Sequence, residues 1–200
     1  MKPFLTFLLI LIEIPCFSQV VLSLPEYNSV YRGYNNMIEV ATKTKMDQKF
    51  ISLSCDRAKL IHHEKNKWGV FPETEKDTLE IIMIHSKTHK VIDRFLFRVK
   101  DLPDPILFVG ATEVGGKISK LENRLFARYS DTPLRAEFLV LKGALIIEND
   151  YRLFEFEGSR LGEDYLEYVK NIPPGRKVKI KAVVIGPDRK ERIIVGEYVL

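Results

Sequence analysis

Residues 97–110 read FRVKDLPDPILFVG, and this stretch decides how the chain divides. Pro103 and Pro105 flank Asp104, and a proline has no backbone N–H to donate to a neighbouring strand. A proline also holds the residue before it in an extended conformation. We therefore predict that one sheet ends near residue 102 and that a short, stiff linker leads into a second β-rich unit.

Short strand patterns separated by turn residues fill the first half of the chain. The predicted strands cover residues 20–24, 37–41, 50–54, 59–63, 68–71, 79–84 and 91–99. Residues 28–36 are rich in turn formers, and residues 86–89 predict a hairpin turn. About seven strands in so short a stretch are typical of an immunoglobulin-like β-sandwich.

The second half predicts strands joined to helical segments. Strand patterns cover residues 106–109, 137–147, 153–156, 177–185 and 192–200. Ser119 and Glu122 have the spacing of a capping box, which predicts a short helix ending near residue 126. A second helix, at residues 161–172, would place its apolar side chains on one face and end at PPG (173–175).

The predicted fold is mainly β, with two tandem β-sandwich domains at residues 19–102 and 103–200, the second carrying a packed helix. Residues 1–18 resemble a cleaved signal peptide, because an apolar run precedes small residues at Cys16 and Ser18. A retained anchor is the alternative, but it needs about 20 apolar residues. Lipidation at Cys16 is disfavoured by Glu13 and Pro15.

Composition and charge indicate a globular protein with a mixed, solvated surface. The chain has 200 residues, 46% of them hydrophobic and 29% charged, which is typical of a globular protein. Its 31 basic and 27 acidic residues are mixed along the sequence, which disfavours nucleic-acid binding. In residues 176–181, RKVKIK, basic and apolar side chains alternate, as expected for a strand with one buried and one solvent-exposed face. A nucleic-acid or lipid-binding patch is the alternative.

Cys55 is the only cysteine once a signal peptide is removed, so no intramolecular disulfide is expected. It lies at the end of the apolar run at residues 50–55. We interpret it as a small buried residue, with an intermolecular bridge or a reactive thiol as the alternatives.

Three stretches resemble, in the same order, the last two periplasmic domains of the GldM family, the gliding-motility and type IX secretion protein of Bacteroidota. Residues 30–38, VYRGYNNMI, are similar to the family's opening turn LYRGVDNPI, with Met37 in place of the usual proline. The linker at 97–105 resembles the junction between the family's domains, and residues 174–200 resemble its terminal hairpin.

The resemblance implies a non-enzymatic scaffold for protein–protein interactions in the periplasm. Members of the family approach the outer-membrane ring and form an elongated dimer. The implied partners are type IX secretion ring or motor components, with a second copy of the chain, in a homodimer, as an alternative partner. The resemblance does not cover the family's transmembrane helix, so energy transduction and a membrane span are not implied for the mature protein.

Histidines offer the first candidate chemistry. His62 and His63 are neighbours in a predicted strand, so their side chains point to opposite faces. His85 and His89 flank the predicted turn, while strand pairing would carry Asp93 away from it. Since zinc needs three or four converging ligands, we predict no metal site and no cofactor.

Other catalytic patterns are also missing from the sequence. There is no G-x-S-x-G motif, and residues 115–119, GGKIS, lack the spacing of a phosphate-binding loop. The acidic pairs Glu163–Asp164 and Asp101–Asp104 fall at a helix start and in the linker. We predict no catalytic residue. A pocket of converging polar groups would favour an enzyme instead.

An alternative function is a cell-surface binding or adhesion module for a glycan or a peptide. Tyr27, Tyr31, Tyr34 and Trp68 all lie in the first predicted domain. We expect most of them to pack in the core or in turns, although an exposed subset would form a platform for a partner or a sugar.

Overall fold

The computed structural model describes residues 21–23, 28–41, 49–64, 66–150 and 152–200. The fold is mainly β. Eight strands precede the linker: β1 Val21–Ser23, β2 Ser29–Tyr31, β3 Asn36–Ala41, β4 Ile51–Ser54, β5 Ala58–His62, β6 Lys67–Pro72, β7 Thr78–His85 and β8 Val91–Lys100. The predicted signal peptide at residues 1–18, Cys16, Gln19 and Tyr27 lie outside the described residues.

The strands before the linker form a β-sandwich of two four-stranded sheets. Their orders are β1-β3-β6-β5 and β2-β8-β7-β4. Neighbouring strands are antiparallel, except that β2 runs parallel to β8. Ile38 and Val70 of the first sheet and Leu79, Met83 and Phe97 of the second are each at most 1% exposed and form the core between them. We call this unit the first sandwich.

The strands after the linker form a second sandwich of a three-stranded and a four-stranded sheet. They are β9 Ile106–Val109, β10 Thr112–Glu113, β11 Leu125–Arg128, β12 Leu139–Ile147, β13 Leu153–Glu157, β14 Lys177–Ile185 and β15 Glu191–Val199. The sheet orders are β10-β9-β11 and β13-β12-β14-β15, all antiparallel. In β14, Val178, Ile180 and Ala182 are fully buried while the alternating lysines are exposed, as the RKVKIK pattern predicts.

The predicted helix near residues 161–172 is present as α1, Glu163–Lys170. Glu163 and Asp164 lie in its first turn and Lys170 in its last, which complements the helix dipole. Its buried face presents Tyr165 and Val169 to the second core, where the Tyr165 ring meets Phe154 with centroids 5.8 Å apart.

The helix predicted from Ser119 to residue 126 is wrong. The Ser119 hydroxyl accepts the Leu121 N–H at 3.2 Å, and the Glu122 carboxylate accepts the Arg124 N–H at 3.0 Å. These side chains therefore close tight local turns. The following residues pair with β9 as strand β11, because that pairing buries Leu125 and Ala127.

The buried apolar residues separate into two clusters at the linker. One cluster lies between Val30 and Val99, and the other begins at Leu102 and ends at Leu200. No strand or helix occupies residues 101–105, where the two prolines lie. The domain limits of 19–102 and 103–200 stay a prediction.

Candidate interaction surface

Arg192, near the start of β15, attaches the linker to the second sandwich. Its guanidinium donates to Asp188 in the preceding turn, at 2.9 Å for one of the two bonds, and to the Leu102 carbonyl at 3.1 Å. It also forms an ion pair with Asp104 at 3.3 Å. The side chains of Arg192 and Asp188 are only 8% and 1% exposed. This buried pair therefore fixes the linker against the terminal hairpin.

Further polar contacts hold the same linker from other directions. Lys190 Nζ lies 2.9 Å from Asp101, and Arg32 of the first sandwich approaches the same carboxylate at 3.4 Å. The Tyr129 hydroxyl donates to the Pro103 carbonyl at 2.7 Å, and burial raises the pKa of this phenol to about 12. The predicted acidic pair Asp101 and Asp104 thus serves to anchor the junction.

The turn between β2 and β3 brings the first sandwich against the second. A Cβ built on Gly33 would lie 2.7 Å from the Asp188 Cα, so the two backbones touch. The Tyr34 hydroxyl accepts the Arg135 N–H at 3.2 Å. Tyr31 and Tyr34 are half-buried and pack on the second core. These tyrosines are junction contacts, as the expectation of turn packing indicated.

Asn36 organises that turn from inside. Its amide oxygen accepts the Tyr31 N–H at 2.7 Å, and its amide nitrogen faces the carbonyls of Tyr31, Tyr34 and Val70 at 2.8 to 3.0 Å. Asn36 is only 5% exposed. Removing this amide would leave several buried backbone groups without partners.

We expect Asn36→Ala to lower the free energy of unfolding by about 2–3 kcal/mol, since it removes several buried hydrogen bonds. Urea unfolding followed by Trp68 fluorescence measures the change in the first sandwich. Asn35→Ala is the matched control, because no described residue donates to the Asn35 amide oxygen. Equal losses in the two variants would contradict this role of Asn36.

The outward face of the sheet β13-β12-β14-β15 carries a concentration of exposed apolar side chains. Of twelve exposed large hydrophobic residues in the described part of the chain, five lie here: Leu139 (62% exposed), Ile146 (42%), Leu153 (59%), Ile193 (60%) and Val195 (48%). Ile146 pairs with Leu153 across the strands, and Ile193 pairs with the half-buried Val183. We call these five residues the apolar face. Apolar groups gathered in this way mark interaction surfaces.

Charged side chains are interspersed with the residues of the apolar face, because the strand register places Lys179 beside Ile146 and Lys181 beside Val195. The central strand β14 contributes Lys177, Lys179 and Lys181, while the acidic residues lie on the outer strands: Glu155 and Glu157 on β13, Glu191 and Glu197 on β15. Lys179 and Glu197 form an exposed ion pair at 3.5 Å. Such pairs add little stability, so this charge pattern is available for a partner.

The four histidines do not assemble into a site. His62 lies at the end of β5, where its ring packs on Trp68 with centroids 4.6 Å apart, and His63 follows it. His85 stacks on Phe50 at 5.7 Å, and His89 occupies the turn, while Asp93 pairs with Met83. Among the residues that the structure covers, no three His, Cys, Asp or Glu side chains gather as metal ligands. The absence of a cofactor stays a prediction.

Cys55 is half-buried and packs against the first core as a free cysteine. Burial raises the pKa of its thiol, which disfavours the reactive thiolate. The structural interpretation of this cysteine therefore fits better than the reactive one.

Sequence reasoning missed Asn36, the pair Arg192–Asp188 and the apolar face. A signal for the face exists in the sequence: ALII (144–147) and RIIV (192–195) place apolar residues at consecutive positions, so both faces of each strand are apolar. In an antiparallel sheet with one solvated face, this indicates a second contact surface.

Comparison with known proteins identifies no family for this chain. No protein-family model and no curated protein matches the chain. Among solved structures, the chain is similar to the Yersinia pseudotuberculosis adhesin InvE, with 8% identity over 90% of this chain and a TM-score of 0.29. The matched region spans 58% of the adhesin chain. A likeness this low carries no conclusion about function. Within the described residues, no helix is long and apolar enough to cross a membrane.

Proposed function

We propose that the protein is an exported, non-enzymatic module that binds a protein partner through the apolar face. The observation that carries this proposal is the gathering of Leu139, Ile146, Leu153, Ile193 and Val195 on one exposed sheet surface. Interface cores are enriched in apolar groups, and charged side chains such as those on β13, β14 and β15 select the partner.

We further propose that the protein is related to the periplasmic part of GldM and that its partners belong to the type IX secretion ring or motor. The ordered resemblance at residues 30–38, 97–105 and 174–200 supports this identification. The polar contacts at the junction also support it, because they hold one sandwich on the other as a scaffold requires. The proposed location is the periplasm.

A protein partner is favoured over a glycan by the chemistry of the face. The outward side chains of β12 to β15 are aliphatic or charged, whereas Phe154, Phe156 and Tyr198 of these strands point inward and are buried. Sugar platforms depend on exposed aromatic rings, which these strands do not offer. A surface adhesion module for peptides remains the second candidate, and its test is the same partner identification.

We expect Leu139→Glu combined with Leu153→Glu to reduce partner capture at least tenfold, because two carboxylates would be desolvated at the contact. The measurement is affinity purification of the tagged protein from the periplasmic fraction, with quantitative mass spectrometry. The matched control is Leu96→Glu, which changes a 66% exposed leucine on the first sandwich. Undiminished capture by the double variant, or capture without any type IX component, would contradict the proposal.

A further inference from the structure

One edge of the second sandwich is open along part of its length. β15 is the outermost strand of its sheet, and among the described residues only its carboxyl end has a neighbour on the outer side. There, Glu197 and Val199 exchange hydrogen bonds of 2.7 to 3.0 Å with residues 115–118. Alternation along the strand aims the N–H and C=O groups of Ile193 and Val195 to the same side. No described residue bonds to these outward groups.

A groove of about 410 Å³ lies beside this open edge. It is lined by Ile193 and Val195 of β15, by Ile106 of β9, and by Val114 just after β10. Its volume falls in the range of pockets that hold ligands, about 300–1,000 Å³. The edge carries no proline or inward lysine at these positions, which are the usual devices that prevent strand pairing.

The charges around the groove define the occupant. Asp104 and Glu113 line it, and no basic residue does so in the part of the chain that the structure describes. Asp104 is already paired with Arg192, whereas the carboxylate of Glu113 accepts one hydrogen bond from the described residues, from the Ser130 hydroxyl at 3.3 Å. Glu191 and Glu197 extend the negative charge along the outward side of β15. Outward side chains of an added strand would lie beside Glu191 and Glu197, and inward ones beside Ile194 and Leu107 of the groove. A complementary strand would therefore be basic on its outward face and apolar on its inward face.

We propose that the open edge of β15 at residues 193–195 binds an extended segment of a partner protein, in which basic and apolar residues alternate. The bound segment would extend the line of backbone hydrogen bonds that residues 115–118 make to β15, and it would add a fifth strand to the sheet. Main-chain hydrogen bonds to Ile193 and Val195 would supply affinity, and Glu113 and Glu191 would select basic side chains. The inference rests on the proposed interaction function but concerns the backbone edge of β15, whereas the apolar face is formed by outward side chains, those of Ile193 and Val195 among them.

The test is fluorescence anisotropy of the full chain with a labelled, capped peptide that copies residues 177–183, KVKIKAV. This sequence has the required alternation and is the natural neighbour of β15 on its other side. We expect saturable binding that weakens as salt rises, and at least tenfold weaker binding of a peptide of the same composition whose three lysines are adjacent.

Variants of the chain separate strand addition from loose charge attraction. Val195→Pro removes an outward N–H to which no described strand bonds, so we expect a folded protein with at least tenfold weaker peptide binding. Val195→Thr keeps the N–H and the β-branched shape and is the matched control. Val114→Lys places a positive charge in the groove without altering β15 and should weaken binding by a similar factor.

Absence of saturable binding, or equal affinity in the Val195→Pro and Val195→Thr variants, would overturn strand addition at this edge. Either result would leave partner binding by the apolar face to its own test, because the Leu139→Glu, Leu153→Glu variant changes residues on other strands and is read by partner capture. Loss of partner capture in the Leu139→Glu, Leu153→Glu variant together with intact peptide binding would separate the two surfaces.

Discussion

Arg192→Met is expected to destabilise the second sandwich by about 3 kcal/mol, since it leaves the carboxylate of Asp188 buried without its counter-charge. The same change frees the Leu102 carbonyl and Asp104, so the linker loses its attachment to the terminal hairpin. Urea unfolding followed by far-ultraviolet circular dichroism measures the loss. Limited proteolysis at residues 101–105 should become faster in the variant.

The double variant Asp188→Asn, Arg192→Met is the control for the buried charge. We expect it to recover at least half of the lost stability, because neither charge is then buried alone. A double variant no more stable than Arg192→Met would show that lost packing, and not an unpaired carboxylate, dominates the effect.

The pH dependence of unfolding gives an independent check on this pair. Burial alone would raise the pKa of Asp188, but the hydrogen bonds from Arg192 and from the Lys190 N–H outweigh it, and the pKa lies below its usual value. The pair therefore stabilises the fold above the ordinary carboxyl pKa, about 3.9, and this contribution is lost as the pH falls through the lowered pKa. The difference between the wild type and Arg192→Met should shrink on acidification.

Gly33→Ala is expected to lower the stability by about 3 kcal/mol through two separate costs. The φ angle of Gly33 is +64°, and a side chain in this region costs about 1–2 kcal/mol. The added methyl group would also lie 2.7 Å from the Asp188 Cα, and overpacking of a backbone atom costs a further 1–3 kcal/mol, roughly. The contact between the two sandwiches would have to open.

Gly158→Ala isolates the first of these costs, that of the backbone conformation. Gly158 has a similar φ of +71°, but an added Cβ there would meet nothing within 4 Å. We therefore expect a loss of only about 1–2 kcal/mol, from the backbone conformation alone. Equal losses at both glycines, measured by urea unfolding, would contradict a tight contact between Gly33 and Asp188.

Local patterns predicted the parts of the fold that depend on near neighbours. The alternation in residues 176–181 gave the correct buried face of β14, and the apolar spacing around Tyr165 gave the helix α1. The prolines at 103 and 105 marked the break between the two cores. Each of these features rests on residues a few positions apart, where periodicity and backbone chemistry decide the structure.

Contacts between distant residues were beyond this reasoning. Arg192 bonds to a carbonyl 90 positions away, and Tyr34 meets the backbone of a residue 101 positions away. The Ser119–Glu122 pattern has a helical capping spacing, but tertiary pairing of the next residues with β9 decided the outcome. The apolar face was missed for a related reason. When a strand has apolar side chains on both faces, the packing of the whole sheet decides which face is buried.

The most direct test of the account is photo-crosslinking from the apolar face in cells that export the protein. A photoreactive amino acid replaces Leu153 in one variant and Leu96, on the first sandwich, in the control. The account predicts that the Leu153 variant captures a periplasmic protein, a type IX secretion ring or motor component, and that the Leu96 variant does not. Capture of the same proteins from both positions, or of none from Leu153, would contradict a binding role for this face.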